Sequence, residues 1–238
     1  MLRVVSLVPS LTEAVALTVP ETLVGATDYC THPAGLTVPR VGGSKYPDLG
    51  TVLALEPDVV LMNVEENRLS DAQALRAAGV RIYQTYPQTV EDALRELGDM
   101  LAFLGVAREP AWLAAARAAW NRARGTPTPV RSVIPVWRKP WIVLGRDTFA
   151  GDVLRRLGID NVYADDAERY PRPRLDDILE RQPELIILPD EPYRFTKDDG
   201  PQHFPAISCA LVSGRHLTWY GPSLAEAPAL LRRQLFSR

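Results

Sequence analysis

Short apolar runs alternate along the chain with segments in which apolar residues recur every three or four positions. The runs predict strands at residues 4–8, 23–27, 59–63, 80–85, 130–136, 141–144, 185–188 and 216–220. Helical spacing predicts helices at residues 48–55, 70–78, 148–157 and 175–181. It also predicts a helix capped by Thr89 and a last helix from Ser223 to about residue 235. Ser10-Leu11-Thr12-Glu13 has the spacing of a capping box and predicts a helix that starts there.

Strands that alternate with helices are typical of parallel sheets with helices on their faces. The Ala-rich segment 110–124 predicts one long helix, and Gly125-Thr126-Pro127-Thr128-Pro129 breaks the chain after it. We therefore expect an α/β fold with two Rossmann-like lobes, whose mainly parallel sheets are joined by one long α-helix. The predicted bounds are 1–106 for the N-terminal lobe, 107–125 for the linking helix and 126–238 for the C-terminal lobe.

The two halves repeat an ordered motif. Tyr46-Pro47 precedes a helix and Pro57-Asp58 precedes an apolar strand, and Tyr170-Pro171 and Pro183-Glu184 do the same in the second half. Pro-acidic pairs are common before strands, but the longer shared order favours duplication. Parallel sheets bind ligands beyond the carboxyl ends of their strands. The loops there, 63–68, 189–195, Pro9-Ser10 and Trp137-Arg138, are predicted to line one cleft between the lobes.

Composition narrows the classes of partner. The chain has 238 residues, 46 % of them hydrophobic and 24 % charged, with a formal net charge of −2. Because no basic run could neutralise a row of phosphates, nucleic acid is not an expected partner. No apolar run is long enough to cross a membrane, so membrane insertion is not expected. The start of the chain lacks the pattern of a leader, which predicts a cytoplasmic protein, or a periplasmic or cell-surface one if a leader was removed. A monomer with reduced Cys30 and Cys209 is expected.

Motifs for catalysis are weak. The segment 145–151 lacks the Lys-Ser/Thr ending of a phosphate-binding loop, and no Gly-x-Ser-x-Gly elbow occurs. The three histidines are isolated, so neither a metal site nor catalytic residues are predicted, and the protein is not expected to be an enzyme. Two alternatives stay open: a tetrapyrrole chelatase that uses His32 or His203 with a nearby carboxylate, and a structural or regulatory protein whose cleft no longer binds a ligand.

Aromatic side chains are concentrated in the predicted cleft loops. Aromatic faces with a few polar groups suit a large planar or macrocyclic ligand, although Trp141 and Phe149 fit a core position equally well. The candidate ligand-binding residues are Pro9, Ser10, Tyr29, Tyr46, Glu65, Glu66, Trp137, Trp141, Arg146, Glu191, Tyr193, Trp219 and Tyr220.

Three stretches carry a family resemblance: Val5-Ser-Leu-Val-Pro-Ser-Leu-Thr-Glu13, Val41-Gly-Gly43, and the segment 48–61. In this order they resemble the helical-backbone (class III) substrate-binding proteins of ABC importers, which bind cobalamin, ferric siderophores or haem. Segments 145–148, 188–195 and 217–222 are most similar to the cobalamin-binding branch, in the type without a leader. The resemblance implies a non-catalytic protein that binds a corrinoid or related metal chelate for ABC-type uptake, with no cofactor of its own. A ferric siderophore or haem is the alternative ligand.

The resemblance also assigns individual residues. Tyr29 matches a tyrosine that packs against the corrin, Trp141 falls where the cobalamin binders keep an aromatic residue, and Trp219 lies in a C-terminal aromatic ligand loop. Three positions depart from the pattern. Near Ser44 the family tryptophan is missing, and Tyr46 is its expected substitute. Gly50 replaces a glutamate that pairs with permease arginines, which argues against docking to an ABC permease, and Ser223 replaces a frequent arginine.

Overall fold

The computed structural model describes residues 2–123 and 128–236. The chain folds into two compact units. Unit 1 comprises Met1–Pro87, Asp92–Ala114 and Tyr220–Pro222, and unit 2 comprises Gln88–Glu91, Ala115–Trp219 and Ser223–Arg238. The predicted domain bounds did not anticipate that two short segments change unit, and they stay a prediction. Residues 124–127, which hold the end of the predicted linking helix and most of the predicted break, lie outside the described residues.

Unit 1 contains a four-stranded parallel sheet in the order β2-β1-β3-β4. Its strands are β1 (Val4–Ser6), β2 (Leu23–Ala26), β3 (Val59–Asn63) and β4 (Arg81–Thr85). The helices of this part of the chain are α1 (Pro9–Ala16), α2 (Leu49–Ala54), α3 (Leu69–Ala77), α4 (Val90–Phe103) and α5 (Ala111–Arg122), with a 3₁₀ turn at Pro20–Thr22. All five residues of β3 are buried, as its continuous apolar run predicts for a central strand. The residues of α5 are divided between the two units.

Unit 2 contains a second four-stranded parallel sheet, in the order β10-β9-β5-β8, and a short antiparallel hairpin of β6 and β7. The strands are β5 (Val130–Val133), β6 (Pro135–Trp137), β7 (Ile142–Val143), β8 (Ile159–Asn161), β9 (Leu185–Pro189) and β10 (Ser208–Val212). The helices are α6 (Phe149–Arg156), α7 (Leu175–Glu180), α8 (Gly214–Thr218) and α9 (Ala227–Phe236), with 3₁₀ turns at Pro201–His203 and Pro222–Ala225.

The two sheets have the same topology. β1 and β5 are each flanked by the next strand of their own sheet on one side and by the Pro-acidic strand, β3 or β9, on the other. The starts of β1 and β5 and the starts of β3 and β9 are both 126 residues apart. This agreement supports duplication, and the predicted α/β class with two parallel-sheet lobes is confirmed.

Several local predictions were wrong. The first residue of α1 is Pro9 and its N-cap is Val8, so Ser10 forms no capping box, because proline at the first helical position already starts the helix. The strand predicted at 216–220 is wrong, because residues 214–218 form helix α8. A run of only five residues does not distinguish the strand period from the helix period. The last helix begins at Ala227, after the 3₁₀ turn, and not at Ser223.

Other strands were misplaced or missed. The predicted strand 130–136 is interrupted after Val133 and continues in the hairpin. β8 was missed because only three residues pair, two of them polar, and β10 was missed because its exposed positions carry Ser208 and Leu211 without clear alternation. The predicted starts of α2 and α6 are correct, since Asp48 and Thr148 accept hydrogen bonds from the backbone N–H groups of Thr51 and Gly151.

No helix within residues 2–123 and 128–236 is both long enough and apolar enough to cross a membrane. Both cysteines are free thiols, Cys30 in the core and Cys209 partly buried.

Candidate functional site

Two asparagines join the loops at the carboxyl end of the unit 1 sheet. Asn67 Oδ1 accepts a hydrogen bond of 2.7 Å from Asn63 N, and Asn67 Nδ2 donates to Ser44 O at 2.9 Å and to Leu7 O at 3.3 Å. Asn63 Nδ2 donates to Thr85 O at 3.1 Å. The loops that follow β1, β2, β3 and β4 are thereby held in one arrangement by two buried amide groups.

A carboxyl group and a phenol lie on this framework. Asn63 Oδ1 accepts hydrogen bonds from the backbone N–H groups of Glu65 at 2.8 Å and Glu66 at 3.2 Å. The carboxyl group of Glu66 is hydrogen-bonded to Tyr220, whose phenolic oxygen lies 3.3 Å from Thr85 Oγ1. The cluster in unit 1 formed by Ser10, Glu65, Glu66, Thr85 and Tyr220 is called the acid–phenol site below.

The pKa values of the two acidic groups of the acid–phenol site, Glu66 and Tyr220, are both raised. Burial, and then the charge of Glu65, raise the pKa of Glu66 to about 7, against the opposing hydrogen bond from Tyr220. Burial, and then the charge of Glu66, raise the pKa of Tyr220 well above its ordinary value. The Ser10 hydroxyl, which lies beside Tyr220, opposes this rise in the pKa of the phenol. Ser10 is 2 % exposed, and its Oγ has no hydrogen-bond partner of ordinary geometry among the described residues.

Two tyrosines of unit 1 are exposed on loops. Tyr29 is 65 % exposed and Tyr46 is 69 % exposed. The guanidinium carbon of Arg68 lies 4.6 Å from the centre of the Tyr46 ring, and Arg68 also forms two hydrogen bonds, of 2.9 and 2.7 Å, with the carboxylate of Asp71. The pairing with Asp71 holds the cation over one face of Tyr46. Pro9 is buried in the first turn of α1.

Aromatic rings form a continuous group in unit 2. Trp137, at the end of β6, is 42 % exposed and meets Tyr193 edge-on, with ring centres 5.5 Å apart. Tyr193 lies 4.7 Å from Phe195, which stacks on Trp141 at 6.2 Å. Trp141 also packs against the buried ring of Phe204. Trp137 is therefore at the surface of this group, whereas Trp141 packs against its core side.

A salt bridge holds the exposed end of the aromatic group. Asp199 Oδ2 accepts a hydrogen bond of 2.6 Å from the Tyr193 hydroxyl, and Asp199 Oδ1 lies 2.6 Å from Arg138 Nη2. These contacts, with the Tyr193 hydrogen bond acting most strongly, lower the pKa of Asp199. Arg138 Nη1 lies 3.3 Å from Nε2 of His203. That guanidinium contact occupies one ring nitrogen of the histidine that a chelatase would need.

Glu191 and Trp219 form a second pair in unit 2. Trp219 Nε1 donates to Glu191 Oε2 at 3.1 Å. Partial burial raises the pKa of Glu191 despite this hydrogen bond. A Cβ atom at Gly214 would lie 2.5 Å from the Glu191 nitrogen, so only glycine permits α8 to approach this loop so closely.

Arg146 lies apart from the other candidates of unit 2. It lines a cavity of about 380 Å³ at the start of α6, together with Asp147, Thr148 and Asn161. Its side chain pairs with Asp147 at 3.5 Å. The ligand-binding role predicted for Arg146 therefore stays a prediction.

The structure brings together Ser10, Glu65, Glu66 and Tyr220 in unit 1, and the pairs Trp137–Tyr193 and Glu191–Trp219 in unit 2. Sequence reasoning missed Asn67, Thr85 and Asp199 as parts of the site. Asn67 and Thr85 had a usable signal, because both lie at or just beyond the carboxyl end of a strand. Asp199 had none. Within the described parts of the chain, no group of three or more His, Cys, Asp or Glu side chains could hold a metal ion.

Two parallel α/β units with polar and aromatic loops at the carboxyl ends of the strands are the architecture of a ligand-binding protein. The periplasmic binding protein family matches residues 4–207, and the chain belongs to this family. A vitamin B12-binding protein of Photorhabdus laumondii is 25 % identical over 244 residues, which cover 98 % of this chain and 88 % of the relative.

Solved structures confirm the fold. The periplasmic vitamin B12 binding protein BtuF of Vibrio cholerae matches with a TM-score of 0.76 and 20 % identity, covering 98 % of this chain and 96 % of that one. A periplasmic haem binding protein from Pseudomonas aeruginosa matches with a TM-score of 0.82 and 22 % identity, covering 99 % and 92 %. At these sequence identities the likeness establishes the fold but not the ligand.

Proposed function

We propose that this protein binds a corrinoid, cobalamin or a close relative, without chemical conversion of the ligand. The observation that carries the proposal is the exposure of large aromatic rings on loops of both units, Tyr29 and Tyr46 in unit 1 and Trp137 in unit 2. Exposed aromatic faces are suited to stacking on a flat macrocycle. The name of the Photorhabdus relative favours a corrinoid over the haem or ferric siderophore that the fold also accommodates.

The arrangement around Trp137 supports this proposal further. Its ring is supported edge-on by Tyr193, which is fixed in turn by Asp199. A ring that is already held in place loses little side-chain entropy when a ligand stacks on it. We expect Tyr46, backed by Arg68, to play the same part in unit 1.

The chelatase alternative receives less support. Nε2 of His203 is in contact with Arg138, and the His203 ring packs edge-on against Trp141 at 5.4 Å. A metal-inserting enzyme needs a histidine nitrogen available to the incoming ion. Binding without catalysis is therefore the function that the site favours.

Delivery to an ABC permease is a separate question. The resemblance places the docking glutamate at Gly50, which is exposed near the start of α2 and has no side chain to form an ion pair. We therefore propose ligand binding, and not docking through this position, as the function of the chain. Membership of the periplasmic binding protein family and the periplasmic relatives support a periplasmic location over a cytoplasmic one.

The proposal is tested by titrating the protein with cyanocobalamin, haem and a ferric siderophore, with heats measured by calorimetry and spectra by absorbance. We expect cyanocobalamin to bind with a Kd of about 1 µM or below, and Trp137→Ala and Tyr46→Ala each to weaken it about tenfold. Phe103→Ala removes an equally exposed ring on α4 and is the control. Preference for haem or the siderophore, or binding of none of the three, would refute the corrinoid proposal.

A further inference from the structure

Arg138 contacts His203 as well as Asp199 at the exposed end of the aromatic group of unit 2. Its Nη2 atom lies 2.6 Å from Asp199 Oδ1, and its Nη1 atom lies 3.3 Å from His203 Nε2. The arginine side chain is only 15 % exposed, so water reaches little of it. His203 is therefore the second side chain that fixes this guanidinium.

The contact with Arg138 requires a neutral imidazole. A guanidinium donates hydrogen bonds and accepts none, so Nε2 of His203 carries a lone pair and the ring proton is on Nδ1. Histidine is the side chain whose charge ordinarily changes between about pH 5 and 8. His203 is partly exposed at the end of the 3₁₀ turn Pro201–His203, so a proton can reach it without unfolding of unit 2.

The turn that carries His203 is held against the aromatic group. His203 N donates to Gly200 O at 3.1 Å, and a Cβ atom at Gly200 would lie 3.0 Å from the side chain of Phe195. The imidazole itself packs edge-on against Trp141, with ring centres 5.4 Å apart. Because the histidine is fixed on this side, a change in its charge acts on Arg138.

Two charged groups of the described chain face His203: Arg138, which follows β6, and Asp199, which precedes the turn. A proton on Nε2 would remove the acceptor and place a second positive charge 3.3 Å from the guanidinium nitrogen. Asp199 already accepts a hydrogen bond from Tyr193 and pairs with Arg138, so a charged imidazole would compete with both for one carboxylate. Protonation would therefore loosen the two side chains that support Trp137.

We infer that neutral His203 is a positioning residue for the exposed ring of Trp137, and that its protonation weakens binding of the stacked ligand. This inference rests on the proposed function and adds to it one residue and a pH dependence. The affinity should fall as pH falls, because only the neutral imidazole accepts a hydrogen bond from Arg138.

Calorimetric titration with cyanocobalamin tests the positioning role. At pH 8, His203→Ala should weaken binding about threefold or more, and His203→Gln should restore it to within about twofold of the native protein. The glutamine carbonyl can accept from Arg138 at every pH. Between pH 8 and pH 5 the native Kd should therefore rise by a factor about three times larger than the Kd of His203→Gln does.

Other ionisable groups are accounted for by comparison. Glu66, whose pKa is about 7, titrates in this range in both proteins, so the difference between the two pH profiles isolates His203. The control His216→Gln removes the other histidine of unit 2, in α8, and should keep the native pH dependence.

Tryptophan fluorescence tests the protonation of His203 without any ligand. A protonated imidazole quenches an adjacent indole, so acidification from pH 8 to pH 5 should lower the fluorescence of Trp141, and His203→Gln should lack this step. An equal step in His203→Gln, an unchanged Kd in His203→Ala at pH 8, or equal pH profiles of the native protein and His203→Gln would overturn the inference while the corrinoid proposal stands. If cyanocobalamin binds at neither pH, the proposed function and the inference both fail.

Discussion

The phenolic hydroxyl of Tyr193 donates a hydrogen bond of 2.6 Å to Asp199, and the other oxygen of the same carboxylate lies 2.6 Å from Arg138. The guanidinium carbon of Arg138 lies 5.9 Å from the centre of the Tyr193 ring. One carboxylate therefore holds both a tyrosine and an arginine, and the tyrosine supports the exposed ring of Trp137.

Asp199→Asn should weaken ligand binding without unfolding unit 2. The neutral amide holds Arg138 and Tyr193 less firmly, so Trp137 loses a fixed neighbour. We expect the Kd for cyanocobalamin to rise about three- to tenfold, which corresponds to the interaction free energy of one aromatic pair. Asp198→Asn, an exposed neighbour outside this network, should leave the Kd unchanged. Equal effects of the two variants would show that Asp199 acts only through net charge.

Asn67→Ala should destabilise unit 1. The change removes three hydrogen bonds and leaves the Asn63 N–H and the Ser44 carbonyl without a protein partner. We expect the free energy of unfolding in urea to fall by about 2–4 kcal/mol. Gln73→Ala, on the exposed face of α3, is the matched control and should change it by less than about 0.5 kcal/mol. A fall of that small size in Asn67→Ala would disprove the role of Asn67 in joining the loops.

Glu66 should make stability depend on pH. Its pKa rises from an ordinary value near 4.5 to about 7 on folding, so the folded state binds the extra proton. Stability should therefore fall as pH rises from about 4.5 to 7 and stay lower above 7, by on the order of 1–3 kcal/mol. In Glu66→Gln the side chain at position 66 is not ionisable. The variant should therefore be more stable than the native protein at pH 8, and the two proteins should have similar stability at pH 4.5.

Urea unfolding of both proteins at pH 4.5, 6 and 8 measures this difference. Other groups titrate in both proteins alike, so the difference between the two curves isolates Glu66. A constant difference across the three pH values would contradict a raised pKa for this carboxyl group.

The two thiols should react at very different rates. Cys30 is fully buried between the hydroxyls of Thr12 and Thr27, at 3.0 and 3.1 Å, and burial raises its pKa. Cys209 is only partly buried. At pH 8 a disulfide reagent should modify Cys209 at least tenfold faster than Cys30. Cys209→Ser should therefore abolish the fast phase of the reaction. A fast phase that persists in Cys209→Ser would place Cys30 at the surface.

Much of the architecture could be predicted because its signals are local. The apolar run of β3, the Pro-acidic pair before it and the cap at Asp48 lie within a few residues of the elements that they define. The repetition of this pattern predicted a second sheet of the same kind. Loops after the strands were identified as ligand-binding candidates by the same reasoning, which placed Glu65, Glu66 and Tyr193 on the correct elements.

The errors occurred where a short segment fits two structures. Residues 216–220 were predicted as a strand, yet residues 214–218 form α8, where Ser213 Oγ and Glu226 Oε1 each lie 2.8 Å from a ring nitrogen of His216. Those partners decide the structure, and neither is visible in a periodicity of five residues.

The sequence by itself determined the α/β class, the repeated order of strands and the loops at the carboxyl ends, because hydrophobic period and turn residues act over short distances. Only the tertiary structure decided which side chains meet. Tyr220 lies beside Thr85, 135 residues away along the chain, and beside Glu66. Burial and these contacts then set the ionisation of Glu66, and neither quantity exists before the sheet and its loops are assembled.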